Sequence, residues 1–264
     1  MNVGMWVKAL QIIPKIDKAE WDRLDAGTDA TLTGVSFSSP DRGFAVGHDG
    51  LILQTADGGQ TWSRVHQAKD KRTSYLDVLA LSEERIIAIG GFGAYLESND
   101  GGSSWKARPI LDEDVHLNRI TRVDEDTLFI AGEMGTLLRS TDGGRTWEPR
   151  ETDNEGSFYG VLPLEDGTLL AYGLRGRVYR STDRGDTWAK VDTGSTGLIL
   201  SGVQLADGTV VLAGQARLCL ASRDGGRTYV RAGHDVPAIA EILAGTEGEL
   251  LTFGEAGVHA LNIP

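Results

Sequence analysis

An octet that returns at a nearly fixed interval constrains this chain more than any other feature. Ser140-Thr141-Asp142-Gly143-Gly144-Arg145-Thr146-Trp147 sets the template. Thr55 to Trp62, Ser98 to Trp105, Ser181 to Trp188 and Ser222 to Tyr229 follow it. The five aspartates, Asp57, Asp100, Asp142, Asp183 and Asp224, stand 43, 42, 41 and 41 residues apart. A constant period in the forties means stacked copies of one supersecondary unit.

Each octet lies between two short apolar runs, as Leu51-Ile52-Leu53 and Trp62-Ser63-Arg64-Val65 show around the first. Strand, Asp/Gly-rich turn, strand is the grammar of a hairpin. The Ser/Thr and Asp side chains are expected to accept backbone N–H groups inside the turn. A glycine supplies positive φ without a Cβ penalty. Trp62, Trp105, Trp147 and Trp188 open the next strand and carry a large apolar surface to bury between repeats. The octet therefore reads as a structural turn with an aromatic anchor.

These residues resemble the Asp-box, or bacterial neuraminidase repeat, of β-propeller blades. The longer stretch Ala45 to Trp62 is similar to the repeats of the photosystem II stability/assembly factor-like family. The resemblance covers about residues 20 to 264. It implies an all-β β-propeller of four-stranded blades with Asp-box turns, and counting along the chain makes it six-bladed. Five blades carry a box, at about 31–66, 75–108, 117–150, 158–191 and 199–231. The sixth combines 238–263 with a strand at 20–25, because Glu20-Trp21-Asp22-Arg23-Leu24 matches the strand that follows a box. That N-terminal strand would close the ring. Residues 19–264 are thus expected to form one propeller domain. Residues 1–18 form a separate segment, with Trp6, Ala9, Leu10 and Ile13 at helical spacing before Pro14.

Charge narrows the partners. Lys plus Arg number 26 and Asp plus Glu 38, for a net charge of −12. Nucleic-acid binding needs a basic footprint, and docking on anionic lipid needs one too. No run of about 20 apolar residues is present, so no membrane insertion is expected. The N-terminus lacks a signal-peptide pattern, so the chain reads as cytoplasmic as written, or periplasmic or secreted if the N-terminus is truncated. Cys219, the single cysteine, falls in an apolar strand column with Ile52, Leu137 and Val178, which implies a buried thiol. No two of the five histidines stand at ligand spacing, so neither a metal nor a cofactor is expected.

Chain direction sorts the loops. Asp-boxes and acidic strand 1–2 links share one side, and the chemistry there repeats. Strand 2–3 turns and blade connections share the other, where the sequence varies. Variation on a rigid scaffold is where a specific site can live. His48, Phe92, Glu133 and Arg175 sit in those turns. The residue before each first-strand Val or Ile forms a further column: Gly34, Asp77, Arg119, Gly160, Gly202 and Glu241. If that column lines a channel, Asp77, Arg119 and Glu241 face it, with Tyr159 one step away. The bland reading is a self-satisfied ion pair; the functional one is a polar funnel for a ligand or a partner side chain.

The resemblance implies a non-catalytic binding or scaffold propeller that recognises a protein partner through its variable side. The alternative is a glycan-active enzyme or a lectin, since Asp-boxes also occur in sialidases and other glycosidases. A sialidase-like site needs three arginines on a carboxylate, a Tyr/Glu pair and an acid Asp. Arg119 and Arg175 have no third at an equivalent position, and Tyr159 near Glu241 or Asp77 only imitates the pair. No catalytic residue is assigned.

Overall fold

A computed structural model describes residues 26–245 and 250–261. The helical segment expected within 1–18 and the closing strand expected at 20–25 lie outside the described residues. The chain divides into two compact units, with the boundary between Arg122 and Val123.

Every sheet is an antiparallel meander in sequence order. The first has strands β1 (Leu32–Phe37), β2 (Gly43–Gly47), β3 (Leu51–Thr55) and β4 (Ser63–Gln67), and the second β5 (Tyr75–Ala80), β6 (Ile86–Gly90), β7 (Tyr95–Ser98) and β8 (Lys106–Ala107). Next come β9 (Leu117–Arg122), β10 (Leu128–Gly132), β11 (Leu137–Ser140) and β12 (Glu148–Pro149). The fourth sheet is β13 (Phe158–Pro163), β14 (Leu169–Gly173), β15 (Val178–Ser181) and β16 (Ala189–Val191). The fifth is β17 (Ile199–Gln204), β18 (Val210–Gly214), β19 (Cys219–Ser222) and β20 (Val230–Arg231). The last has three described strands, β21 (Ile239–Ala244), β22 (Leu250–Gly254) and β23 (Gly257–Leu261). These bounds fall within a few residues of the blades expected from the repeat.

Second strands are buried along their whole length in five of the six sheets, as Gly43–Gly47 and Val210–Gly214 show. Strands covered on both faces read as continuous apolar runs rather than alternating ones. Cores form between successive sheets. In the first unit Phe44, Val46 and Ile52 pack with Tyr75, Val78 and Ile86, and Trp105 lies edge-on to Phe44. In the second unit Phe129 and Ala131 pack with Phe158 and Tyr179, and Trp188 lies edge-on to Phe129. Cys219 is fully buried in the cluster between the fifth and sixth sheets, and burial pushes its thiol up to about 11.

Glycines end the second strands for a steric reason. A Cβ on Gly47, Gly90, Gly173, Gly214 or Gly254 would stand 1.8–2.2 Å from the carbonyl oxygen just before the neighbouring first strand. The backbone N–H after four of these glycines donates to that same carbonyl, as in Leu174 N to Ser157 O at 3.0 Å. The close approach excludes any side chain; the backbone at Gly47, Gly90 and Gly173 is simply extended.

Candidate functional site

The octets close on themselves. In the first, Thr55 Oγ1 donates to Asp57 Oδ1 at 2.8 Å and accepts the Gly59 N–H at 2.9 Å. Asp57 also accepts the Thr61 N–H (2.9 Å) and hydroxyl (2.6 Å). Trp62 Nε1 donates to Gly59 O at 3.0 Å. Asp100, Asp142, Asp183 and Asp224 accept the same pair of bonds from Ser104, Thr146, Thr187 and Thr228. The hydrogen bonds from Thr61 and Thr55 hold the Asp57 carboxyl down to about 2, and those from Thr187 and Ser181 do the same for Asp183. At Asp142 partial burial pushes upward, yet the bonds from Thr146 and Ser140 win and leave it at about 2.

Three of the boxes are also gripped by the sheet before them. Gln54 Nε2 reaches Gly101 O at 2.9 Å, Arg139 Nη1 reaches Arg184 O at 2.9 Å, and Arg180 Nε reaches Gly225 O at 2.8 Å. The five box aspartates thus have their acceptor capacity committed to holding turns. Asp-boxes and strand 1–2 links lie at the same end of each sheet, as Gly58 N to Asp41 O (2.9 Å) and Gly143 N to Asp126 O (2.8 Å) show.

The charged first-strand column has comparable duties. Each first strand of five sheets carries a bulge two residues into its pairing. A bulge re-aims one side chain and frees local backbone groups. In the first unit Asp77 Oδ1 accepts its neighbour Val78 N–H at 2.9 Å, and Oδ2 accepts Ile120 N–H of the next first strand at 3.0 Å. Arg119 is half-buried beside that contact. Thr33 Oγ1 donates to Tyr75 O at 2.7 Å and Ser36 Oγ accepts Ala80 N–H at 3.0 Å, so polar side chains link these first strands repeatedly.

In the second unit the register corrects one expectation. Glu241 pairs with Phe253, and its counterpart in the fifth sheet is Ser201, paired with Ala213, rather than Gly202. The position is fixed by the bulge after Ile199, which counting back from Val203 does not reveal. The register signal was present in the apolar residue two places earlier: Tyr75, Phe158, Ile199 and Ile239 each precede their column member by two. Ser201 Oγ donates to Glu241 Oε1 and accepts Ile242 N–H at 3.2 Å. Tyr159 is half-buried against the core formed by Tyr172, Ile199 and Leu212. The two carboxylates weighed for glycan chemistry, Asp77 and Glu241, are each engaged by hydrogen-bond donors of a neighbouring strand.

The strand 2–3 turns are built differently. Asp49, Phe92, Met134 and Arg175 all have φ between 54° and 60°, followed by a glycine that is also left-handed. In the fifth sheet Ala216 and Arg217, at 55° and 56°, take these places without glycine. Non-glycine residues enter this region at a cost and seldom when bulky. Here backbone bonds impose it: Gly93 N donates to Val115 O (2.7 Å), Gly135 N to Gly156 O (2.7 Å) and Arg217 N to Pro237 O (2.9 Å). The side chains stand outward. Phe92 is 65% exposed and Met134 77%, and Asp49, Arg175 and Arg217 are exposed as well. His48 is exposed and its Nδ1 lies 2.8 Å from Ser74 Oγ, whereas Glu133 is half-buried. Of the turn residues singled out in the sequence, Phe92 and Arg175 occupy this left-handed position and His48 and Glu133 precede it.

Self-closed Asp-box turns on meander blades define the class, a β-propeller with repeats of the bacterial neuraminidase type. This chain's six-bladed fold of four-stranded antiparallel blades is similar to a solved structure described as YCF48 bound to D1 peptide, with a TM-score of 0.74 at 18% identity over 96% of this chain and 84% of that one. The family model for photosynthesis system II assembly factor YCF48 matches residues 13–105 and 70–211, and the chain belongs to that family. Two relatives are the photosystem II assembly lipoprotein Ycf48 of a Picosynechococcus species, 32% identical over 73 residues, and the photosystem II assembly protein Ycf48 of Thermosynechococcus vestitus, 38% identical over 50 residues. The matches cover 27% and 19% of this chain, and only 22% and 14% of those relatives. Among the described residues no helix is long and apolar enough to cross a membrane, and no group of three or more His, Cys, Asp or Glu is arranged to hold a metal.

Proposed function

We propose that this chain is a protein-binding assembly factor whose recognition surface is the strand 2–3 turn end of its sheets and the connections beside it. The carrying observation is the set of exposed side chains held at left-handed backbone positions: Asp49, Phe92, Met134 and Arg175. Sparse backbone conformations that the fold maintains point to function rather than to packing. The opposite end supports the same reading by contrast, because its polar groups are consumed in Asp-box turns. His48 and Glu133 flank the recognition positions; Asp77, Arg119, Tyr159 and Glu241 support the strands behind them. Binding of a D1 peptide by a protein of the same fold supports an extended segment of a partner protein as the ligand here. The lipoprotein name of one relative supports action at a membrane surface, which fractionation of the source cell tests.

Photo-cross-linking tests the assignment. A benzophenone side chain placed at Met134 or Arg175 should capture a discrete partner protein in cells. The same group at Arg145 or Arg184, on the Asp-box end, should not. Equal capture from both ends would sink the surface assignment. A glycan array that retains the protein, with no cross-link at Met134 or Arg175, would replace the reading with a lectin-like one.

A further inference from the structure

Phe92 does not stand alone at its turn. Its ring lies edge-on to His116, with centroids 5.2 Å apart and planes at 78°. The turn that carries it is seated on the connection between the second and third sheets. Gly93 N donates to Val115 O, and a Cβ on Gly93 would come within 3.3 Å of Glu113 O. That connection presents Asp112, Glu113 and Asp114, all exposed, and no ion pair among the described residues neutralises them. On its other side the turn meets Ser74, whose carbonyl accepts Gly91 N–H at 2.9 Å and whose hydroxyl meets His48. The surface is therefore an aromatic ring, 65% exposed, on a turn seated against a connection that carries three exposed acidic residues. The connection that ends at Ser74 also carries Lys69, Lys71 and Arg72; it packs on the 48–50 turn through Ala68 N to Gly50 O at 2.9 Å, and Arg72 is paired within it to Asp70 at 2.7 Å.

We infer that Phe92, with Asp112, Glu113 and Asp114, receives an arginine or lysine side chain of an extended partner segment. A cation over an aromatic face is attracted by the ring quadrupole, and neighbouring carboxylates strengthen the same preference. The backbone bonds of the turn hold Phe92 at a φ of 56°, and this presents the ring outward from the turn. This inference rests on the reading that the turn end binds a partner protein, and it names the chemistry that binding selects.

Selection from a displayed library of random dodecapeptides tests it. The wild type should enrich sequences bearing Arg or Lys. Anisotropy on one enriched peptide should then show about threefold weaker binding for Phe92→Leu, which keeps an apolar side chain and loses the π face. Asp112→Asn with Glu113→Gln and Asp114→Asn should weaken it by about three- to tenfold at low salt, and less at high salt. Unchanged thermal midpoints confirm that both variants fold. Enriched peptides without basic residues, or binding indifferent to both variants, would overturn the inference and leave peptide recognition standing. A library from which the folded wild type enriches nothing would overturn both.

Discussion

Gly173 in the fourth sheet and Gly194 in the connection after it test whether close approach or backbone conformation is the stronger constraint. Gly173 has φ of −178°, open to any residue, yet its Cβ would stand 2.1 Å from Ser157 O and 2.9 Å from Phe158 Cα. Gly194 has φ of +64°, with nothing within 4 Å of a Cβ. Alanine at Gly173 must push the strand start away by roughly 1 Å to reach an ordinary contact. That movement breaks Leu174 N to Ser157 O and disturbs Phe158, which is fully buried edge-on to Tyr179. Overpacking and a lost buried backbone bond together cost roughly 2–6 kcal/mol. Alanine at Gly194 meets only the left-handed penalty, about 1–2 kcal/mol. The substitution is the same at both sites, so the unfolded-state gain from replacing glycine is common to both. Urea unfolding followed by tryptophan fluorescence should show a far lower midpoint for Gly173→Ala than for Gly194→Ala. Equal midpoints, or the reverse order, would refute the claim that backbone proximity fixes these strand ends.

Three further outcomes are expected. Tyr229 replaces the box tryptophan in the fifth repeat, and its buried hydroxyl has no hydrogen-bond partner among the described residues. Tyr229→Phe should leave stability unchanged or raise it by up to about 1 kcal/mol, and a loss greater than that in urea unfolding would show a hidden partner. Asp57, Asp142 and Asp183 have folded pKa values near 2, below the 3.8 of a free carboxyl. Depressed values mean that their contribution is complete above about pH 4 and lost as pH falls toward 2, so urea midpoints measured from pH 5 to 2.5 should drop in that window and not above it. Cys219, buried with its thiol at about 11, should resist a thiol reagent in the native protein and react fully in urea; rapid native labelling would contradict its place in the core.

The sequence and the structure agree best where information is short-range. The Asp-box is spelled by residues two to four places apart, as Thr55, Asp57, Gly59 and Thr61 show, so its hydrogen bonds could be anticipated from one repeat. Blade bounds followed because the period was constant. The first-strand column slipped at Gly202 because the fifth sheet has glycine where the other bulged first strands have Val or Ile (Val35, Val78, Val161, Ile242), so counting back from Val203 starts one residue late. The sequence offered Asp77 and Glu241 as members of an ion pair or a polar funnel, and their actual donors were hidden because they are distant in the chain. Their donors, Ile120 N–H and Ser201 Oγ, lie about forty residues away in the sequence and become neighbours only through the stacking of sheets. The turn residues carried a local signal, the Gly-x-x-Gly pattern, whose last x takes the left-handed position. Their exposure and the seating of Phe92 on the 112–116 connection depended on contacts between turns and connections.

The strand 2–3 turns have a consequence for how such a protein can change over generations. Their shape is held by peptide groups: Gly90 N to Ala94 O, Gly93 N to Val115 O, Gly135 N to Gly156 O. The side chain at the outward position holds none of this together. Asp49, Phe92, Met134, Arg175 and Ala216 already sample acid, aromatic, thioether, guanidinium and methyl groups on one backbone form. Recognition can therefore drift, or be recoded by directed selection at these five places, while the scaffold that displays it is inherited intact.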